Sequence, residues 1–189
     1  MGEEAAAAAN GQEPGDIKVQ DVDGNGVITT DDRIIYSQRP DVTFGFNNTF
    51  NYKGFDLSVF LYARLGQWIA YDYNTTYRIN ALENGGNVDY WTPENPTNAF
   101  PRPNKSKSYT QVTYYSTLKY EDGSFFKIRD ITLGYTFKPE LLKHLNLSRL
   151  RVYATAKNFF TFSKIDNYDP EQGGSISFPM TKQLVFGLN

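Results

Sequence analysis

From Val42 the chain alternates in polarity. Val42, Phe44, Phe46, Phe50 and Tyr52 fall on one side, and Thr43, Gly45, Asn47, Thr49 and Asn51 on the other. A period of two marks a β-strand with one apolar and one polar face. The run is about the ten residues that a tilted strand needs to cross a bilayer.

The pattern returns four more times. After a tight turn at Lys53 and Gly54, Phe55, Leu57, Val59, Leu61 and Ala63 alternate with Asp56, Ser58, Phe60, Tyr62 and Arg64. Between Phe125 and Phe137 the phase changes: Phe126 and Ile128 lie on one face, then Ile131, Leu133, Tyr135 and Phe137 on the other. That slip predicts a bulge near Arg129 and Asp130. A short helical turn from Pro139 to Leu145 leads to a fourth strand, with Leu150, Val152, Ala154, Ala156, Phe160 and Phe162 facing one way. Arg151, Tyr153, Thr155 and Lys157 face the other, toward what the pattern makes a wet interior where charge is solvated. The last strand begins with Leu184, Phe186 and Leu188. Five strands are too few to close a membrane barrel.

Composition favours a barrel wall over a soluble core. With 14 Phe and 14 Tyr beside a negative mean hydropathy, aromatic surface is plentiful and aliphatic core residues are thin. Phe50, Tyr52 and Phe55 cluster at the first turn as an interfacial aromatic girdle would. The net charge of -2 gives no electrostatic case for nucleic acid. There is no cysteine for thiolate metal sites. A single histidine, His144, in a Lys-rich turn, leaves no catalytic triad or His-ligated zinc to propose. No nucleophile, base and metal converge in the pattern, so an enzyme is not expected. Asp169 and Glu171 form a carboxylate pair outside the acidic loop, and they flank Pro170 as a turn would.

No apolar run reaches the length of a transmembrane helix, and Met1 is followed by Gly2, Glu3, Glu4 and alanines rather than a leader. Taken with the strands, this places the leader in a part of the protein not present here. The connections alternate in length: a tight turn, a stretch of irregular composition over 66–123, a modest turn, and a loop around Asp169. Barrels keep short turns in the periplasm and long loops outside. The expected organisation is a linker or chain edge over 1–15, an extracellular loop over 16–41, and barrel strands with loops over 42–189. Within the long stretch, the aromatic segment beginning at Trp91 either stacks a ligand or packs on itself or against a partner protein, and packing is the simpler expectation.

The acidic loop DVDGNGVITTDD carries the sharpest motif. Asp21, Asp23, Asn25 and Asp32 occupy positions 1, 3, 5 and 12 of an EF-hand-type calcium loop, with Gly26 at the sharp bend and Ile28 at the apolar position. A hard cation needs six to eight converging oxygens, to which Val27 would add its carbonyl and Thr29 a direct or water-mediated oxygen. Asp32 stands where the motif prefers Glu, so bidentate closure comes from a shorter arm. Without flanking helices the expectation is a static calcium (Ca2+) staple. The bland reading is a solvated Asp/Asn/Gly turn.

Seven strings occur in a fixed order: GDIKVQDVDGNGVIT, YKGFDLSVFL, WTPENPTNAFPR, YEDGSFFKIRDITLGYTF, LRVYATAKNFFTF, YDPE and FGLN. Together, over residues 15 to 189, they resemble the C-terminal end of the SusC/RagA-type TonB-linked outer-membrane proteins. The resemblance implies an all-β fold, with about five C-terminal antiparallel strands of a large 22-stranded transmembrane β-barrel and long extracellular loops. It implies import of glycan or peptide oligomers across the bacterial outer membrane. It also implies a SusD-like surface lipoprotein over the barrel, the remaining strands and plug of the same barrel, and energy from the TonB complex. Family members usually continue past FGLN to a final aromatic. The alternative is a soluble calcium-dependent β-rich carbohydrate-binding or adhesion module, which must cover its apolar stripes with a second sheet.

Overall fold

The computed structural model describes residues 13–71, 89–102, 116–178 and 180–189. Residues 1–12 of the expected linker, and 72–88 and 103–115 of the long stretch, lie outside the described residues. The chain divides into two compact units, Met1–Tyr36 with Ala70–Glu121, and Ser37–Ile69 with Asp122–Asn189.

The second unit holds the alternating strands. They are β1 (Val42–Tyr52), β2 (Phe55–Leu65), β5 (Phe125–Thr136), β6 (Arg151–Ser163) and β7 (Gln183–Leu188). Each pairs antiparallel with its neighbour in the order β1-β2-β5-β6-β7. Two shorter strands, β3 (Trp68–Ala70) and β4 (Tyr120–Asp122), make a separate ribbon. The stretch 66–123 is therefore not irregular throughout: Gln67 Nε2 donates to the Gly123 carbonyl at 2.6 Å, and the Gly123 N–H donates back to Gln67 O.

The β1–β2 turn is set by Lys53 (φ 47°) and Gly54 (φ 89°). Two successive left-handed residues match the right-handed twist of the strands they join. Gly54 meets a further demand there, because a Cβ would sit 2.8 Å from the Thr136 carbonyl. The β5–β6 connection uses a helical turn at Pro139–Leu142 and a 3-10 turn at Lys143–Leu145, ended by Asn146 at φ 53°. Leu142 is buried beneath it, and His144 is exposed.

The expected bulge is present and larger than the phase slip alone implied. Val59 and Leu61 of β2 flank Phe60; their partners Ile131 and Ile128 flank Arg129 and Asp130; and the partners of those, Ala156 and Phe160, flank Lys157 to Phe159. Each strand thus gains one residue over its neighbour at the same height, which corrects the expected change of face: Phe126 and Ile128 lie on one face with Ile131 and Leu133. Asn158, at φ 57°, absorbs the extra residue on β6.

Registration gathers the alternating residues into rows. One edge of the apolar face joins Phe44, Ala63, Phe126 and Phe162; the other joins Tyr52, Phe55, Tyr135, Val152 and Leu188. Between them lies an aliphatic row of Val59, Ile131, Ala156 and Leu184, which Asn48 interrupts on β1. From Val42 to Tyr52 the strand runs about 33 Å, or about 25 Å along a barrel axis at the usual tilt of about 40°.

Burial on this sheet is inverted relative to a soluble protein. Phe50, Phe162, Leu184 and Phe186 are exposed, Phe186 by 76%. Lys127, on the polar face, is 0% exposed. No second sheet covers the apolar face among the described residues. A continuous exposed apolar surface of this kind marks contact with lipid or partner rather than water.

Candidate functional site

Among the described residues two clusters carry chemistry, one in each unit. The first is the acidic loop. Asp21 accepts from the Gly24 and Gly26 N–H groups, both at 2.7 Å. Gly24 (φ 75°) and Gly26 (φ 83°) reach the left-handed conformations that aim those donors inward. Asp32 closes the loop by accepting from Val22 N–H and Thr29 N–H, each at 2.7 Å. Thr29 in turn caps the 3-10 turn Thr30–Asp32, its hydroxyl accepting from Asp31 N–H. The two backbone donors, Thr29 first and Val22 second, hold the Asp32 carboxyl below its ordinary value.

Carboxylate oxygens of Asp21, Asp23 and Asp32 lie within 4.8 Å of one another. Among the described residues no lysine or arginine pairs with any of the three. Asn25 is drawn in beside them, its Nδ2 donating to Asp23 Oδ2 at 2.7 Å while its Oδ1 accepts from Val27 N–H. Three of the six residues singled out by spacing therefore converge as carboxylates. Asn25, Val27 and Thr29 stand in the same loop with their bonds made to the loop itself.

In the same unit, the segment 89–102 is held by its own contacts. Asp89 accepts from Asn95 Nδ2 and the Thr97 hydroxyl, and Trp91 N–H donates to Phe100 O. Trp91 lies against Gly15, where a Cβ would collide with the indole, and Arg102 pairs with Glu13 and Asp16.

The second cluster lies on the polar face of the sheet. Lys127 donates to both oxygens of Asp169 (2.9 and 2.7 Å) and to Glu171 at 2.8 Å, using all three of its protons. Arg129, the bulge residue, reaches Glu171 at 3.1 Å. Asp169 also accepts from Glu171 N–H, starting the 3-10 turn Pro170–Gln172. The turn expected around Pro170 is thus present, and both carboxylates have a second use that their sequence position did not reveal. Arg151 corrects an expectation: it is not simply solvated, but bonded to Asp56 at 2.9 and 2.5 Å and only 17% exposed. Gly134 leaves the room for this pair, since a Cβ there would lie 2.5 Å from both partners. Lys157 sits 3.9 Å from Asp130 and stays half in water.

Ion pairs on one face and bare aromatics on the other describe a wall between lipid and a wet interior. No family model matches the chain. It is 33% identical over 177 residues to "TonB-dependent receptor P3" of Formosa agariphila, covering 89% of this chain and 17% of that protein. It is 31% identical over 178 residues to "TonB-dependent receptor SusC" of Bacteroides thetaiotaomicron, again covering 89% and 17%. The structure of the RagAB peptide transporter superposes with a TM-score of 0.64 at 27% identity, over 82% of this chain and 18% of that one. The chain belongs to the SusC/RagA-type TonB-dependent receptors.

A second RagAB structure, the peptide importer in its "closed-closed" state, covers 92% of this chain and 20% of that one with a TM-score of 0.65 and 27% identity. The chain spans about a fifth of the length of the relatives it matches. As a SusC/RagA-type segment it forms part of an antiparallel barrel wall in the bacterial outer membrane. The aromatic face is its lipid face and the face bearing Asp56, Lys127 and Arg151 its lumenal face.

Proposed function

We propose that this segment is the C-terminal part of the barrel of an outer-membrane importer of glycan or peptide oligomers. The observation that carries the reading is the inverted sheet, with exposed Phe50, Phe162 and Phe186 on one side and satisfied ion pairs at Lys127 and Arg151 on the other. Such a surface is unstable in water and stable in a bilayer with a wet lumen. The related RagAB structures are of a peptide transporter, which supports binding and passage rather than bond making. In this reading a SusD-like lipoprotein covers the extracellular mouth, while plug and TonB complex act through other parts of the protein.

The test is uptake of labelled oligosaccharides and peptides by cells carrying the complete receptor. Uptake should require both the receptor and the TonB complex; uptake that persists without either refutes the reading. A soluble module would instead have to hide the apolar face, and the isolated protein would then melt cooperatively without detergent.

The acidic loop in this reading is a structural calcium site. Asp21, Asp23 and Asp32 supply carboxylates, and Asn25, Val27 and Thr29 complete the oxygen set once Asn25 Oδ1 turns from the Val27 N–H. Three converging anions with no cation paired to them among the described residues support it, because a divalent ion removes their mutual repulsion. The ion would stiffen an outer loop and takes no part in bond making.

A further inference from the structure

The lumenal face carries positive groups gathered on aromatic rings at the end of the sheet that bears the long connections. Arg64 and Tyr62 of β2 lie in register with Phe125 and Lys127 of β5. The Arg64 guanidinium stands 5.6 Å from the Tyr62 ring centre and 6.0 Å from that of Phe125, and its Nε donates to the Tyr62 hydroxyl at 2.8 Å. The Arg129 guanidinium leans on the same Tyr62 ring at 5.3 Å. Arg129 faces inward because the bulge adds a residue at that height, a common device for re-aiming a side chain beside a site.

Lys127 and Arg129 are matched by Asp169 and Glu171. Among the described residues no carboxylate pairs with Arg64, whose one side-chain hydrogen bond, to Tyr62, uses Nε and not the terminal nitrogens. Arg129 keeps 37% of its side chain exposed beside it. An arginine fixed by rings and one hydroxyl is preorganised for a planar anion, which it binds with two parallel hydrogen bonds. Arg64 belongs to the lumenal set of β2, so bilayer lipids outside the barrel do not reach it.

We propose that Arg64, with Tyr62 and Arg129, forms a subsite for the carboxylate of an acidic oligosaccharide entering the barrel; this rests on the importer reading. The neighbouring lumenal face of β1 offers Thr43, Asn47, Thr49 and Asn51, neutral partners for sugar hydroxyls. Within Val42–Tyr52 that face carries no carboxylate, and the nearest one, Asp41 beside Gly66, lies beyond the end of the strand, so the neutral groups of this stretch fit a sugar acid better than a peptide.

The experiment measures binding to the complete receptor in detergent by calorimetry, separately from transport. The probes are oligogalacturonate, oligomannuronate, neutral maltotetraose and a glutamate-rich peptide. At least one uronate oligomer should bind more tightly than maltotetraose and the peptide, with affinity falling as salt rises. Arg64→Gln should weaken it about tenfold to hundredfold, as loss of a charge-assisted hydrogen bond does. Arg64→Lys should recover part of the loss, and retained heat-modifiability on gels confirms that each variant is folded. Failure of both uronates to bind, peptide preferred over uronate, or unchanged affinity in folded Arg64→Gln each overturns the subsite. Loss of TonB-dependent uptake of every oligomer is the separate result that removes the importer reading itself.

Discussion

Lys127→Met tests whether a buried charge, rather than backbone pairing, fastens the β6–β7 loop to the barrel wall. Lys127 is 0% exposed, while Asp169 and Glu171 retain 11% and 10% of their side-chain exposure. Removing the ammonium takes three charge-assisted hydrogen bonds and, among the described residues, leaves Asp169 with no cation and Glu171 with Arg129 alone. Breaking one member of a buried ion cluster costs about 3–5 kcal/mol, because the remaining charge stays desolvated. The sheet does not depend on this cluster, so the cost falls on the loop. Its reporters are the amides of Glu171, Gln172 and Gly173, which bond to Asp169 Oδ1, Asp169 O and Pro170 O. Hydrogen exchange of these amides should speed by about a hundredfold or more, at roughly tenfold per 1.4 kcal/mol, while β5 and β6 amides stay protected. The triple change Lys127→Met, Asp169→Asn, Glu171→Gln should recover most of the protection, since an uncharged set carries no unpaired ion. Lys157→Met is the control: a half-exposed lysine 3.9 Å from Asp130 should shift exchange by less than about fivefold. Equal effects of the two lysine changes would refute the argument.

Calcium titration should show one site in the protein and none in Asp21→Asn combined with Asp32→Asn, whereas a metal-independent turn would leave the heat unchanged. The lowered Asp32 carboxyl stabilises the folded loop above its unfolded value near 3.8, and that stability is lost as pH falls through the lower folded value; loop amides monitored by NMR should therefore hold down to about pH 4 and loosen below it. On the lipid face, Ile131→Arg in the middle row should cost about 2–4 kcal/mol of barrel stability in a bilayer, against less than about 0.5 kcal/mol for Thr49→Lys on the lumenal face. Similar costs at the two positions, measured by denaturant unfolding in vesicles, would mean that the faces have been assigned the wrong way round.

Local features of the chain are legible in its residue order. The side chains of one strand face are two residues apart, so Val42 to Tyr52 and Phe55 to Ala63 declare their faces within a single run, and the slip at Ile128 to Ile131 declares a bulge. Lys53–Gly54 likewise declares a turn, as DVDGNGVITTDD declares an acidic loop. Asp21, Asp23 and Asp32 come together because the loop's own backbone donors bend it, again a short-range effect.

The rest depended on pairs far apart in the chain. Arg151 finds Asp56 across 95 residues and Lys127 finds Asp169 across 42, and no spacing rule links them. Register decided which lumenal side chains became neighbours, and the growing bulge decided that Arg129 joins Arg64 over one tyrosine. Residue order by itself determines the face of a side chain, because that is a matter of backbone geometry. Its partner across the sheet is chosen only when strands align, since each charge on a wet face is stabilised by whichever opposite charge the alignment brings within reach.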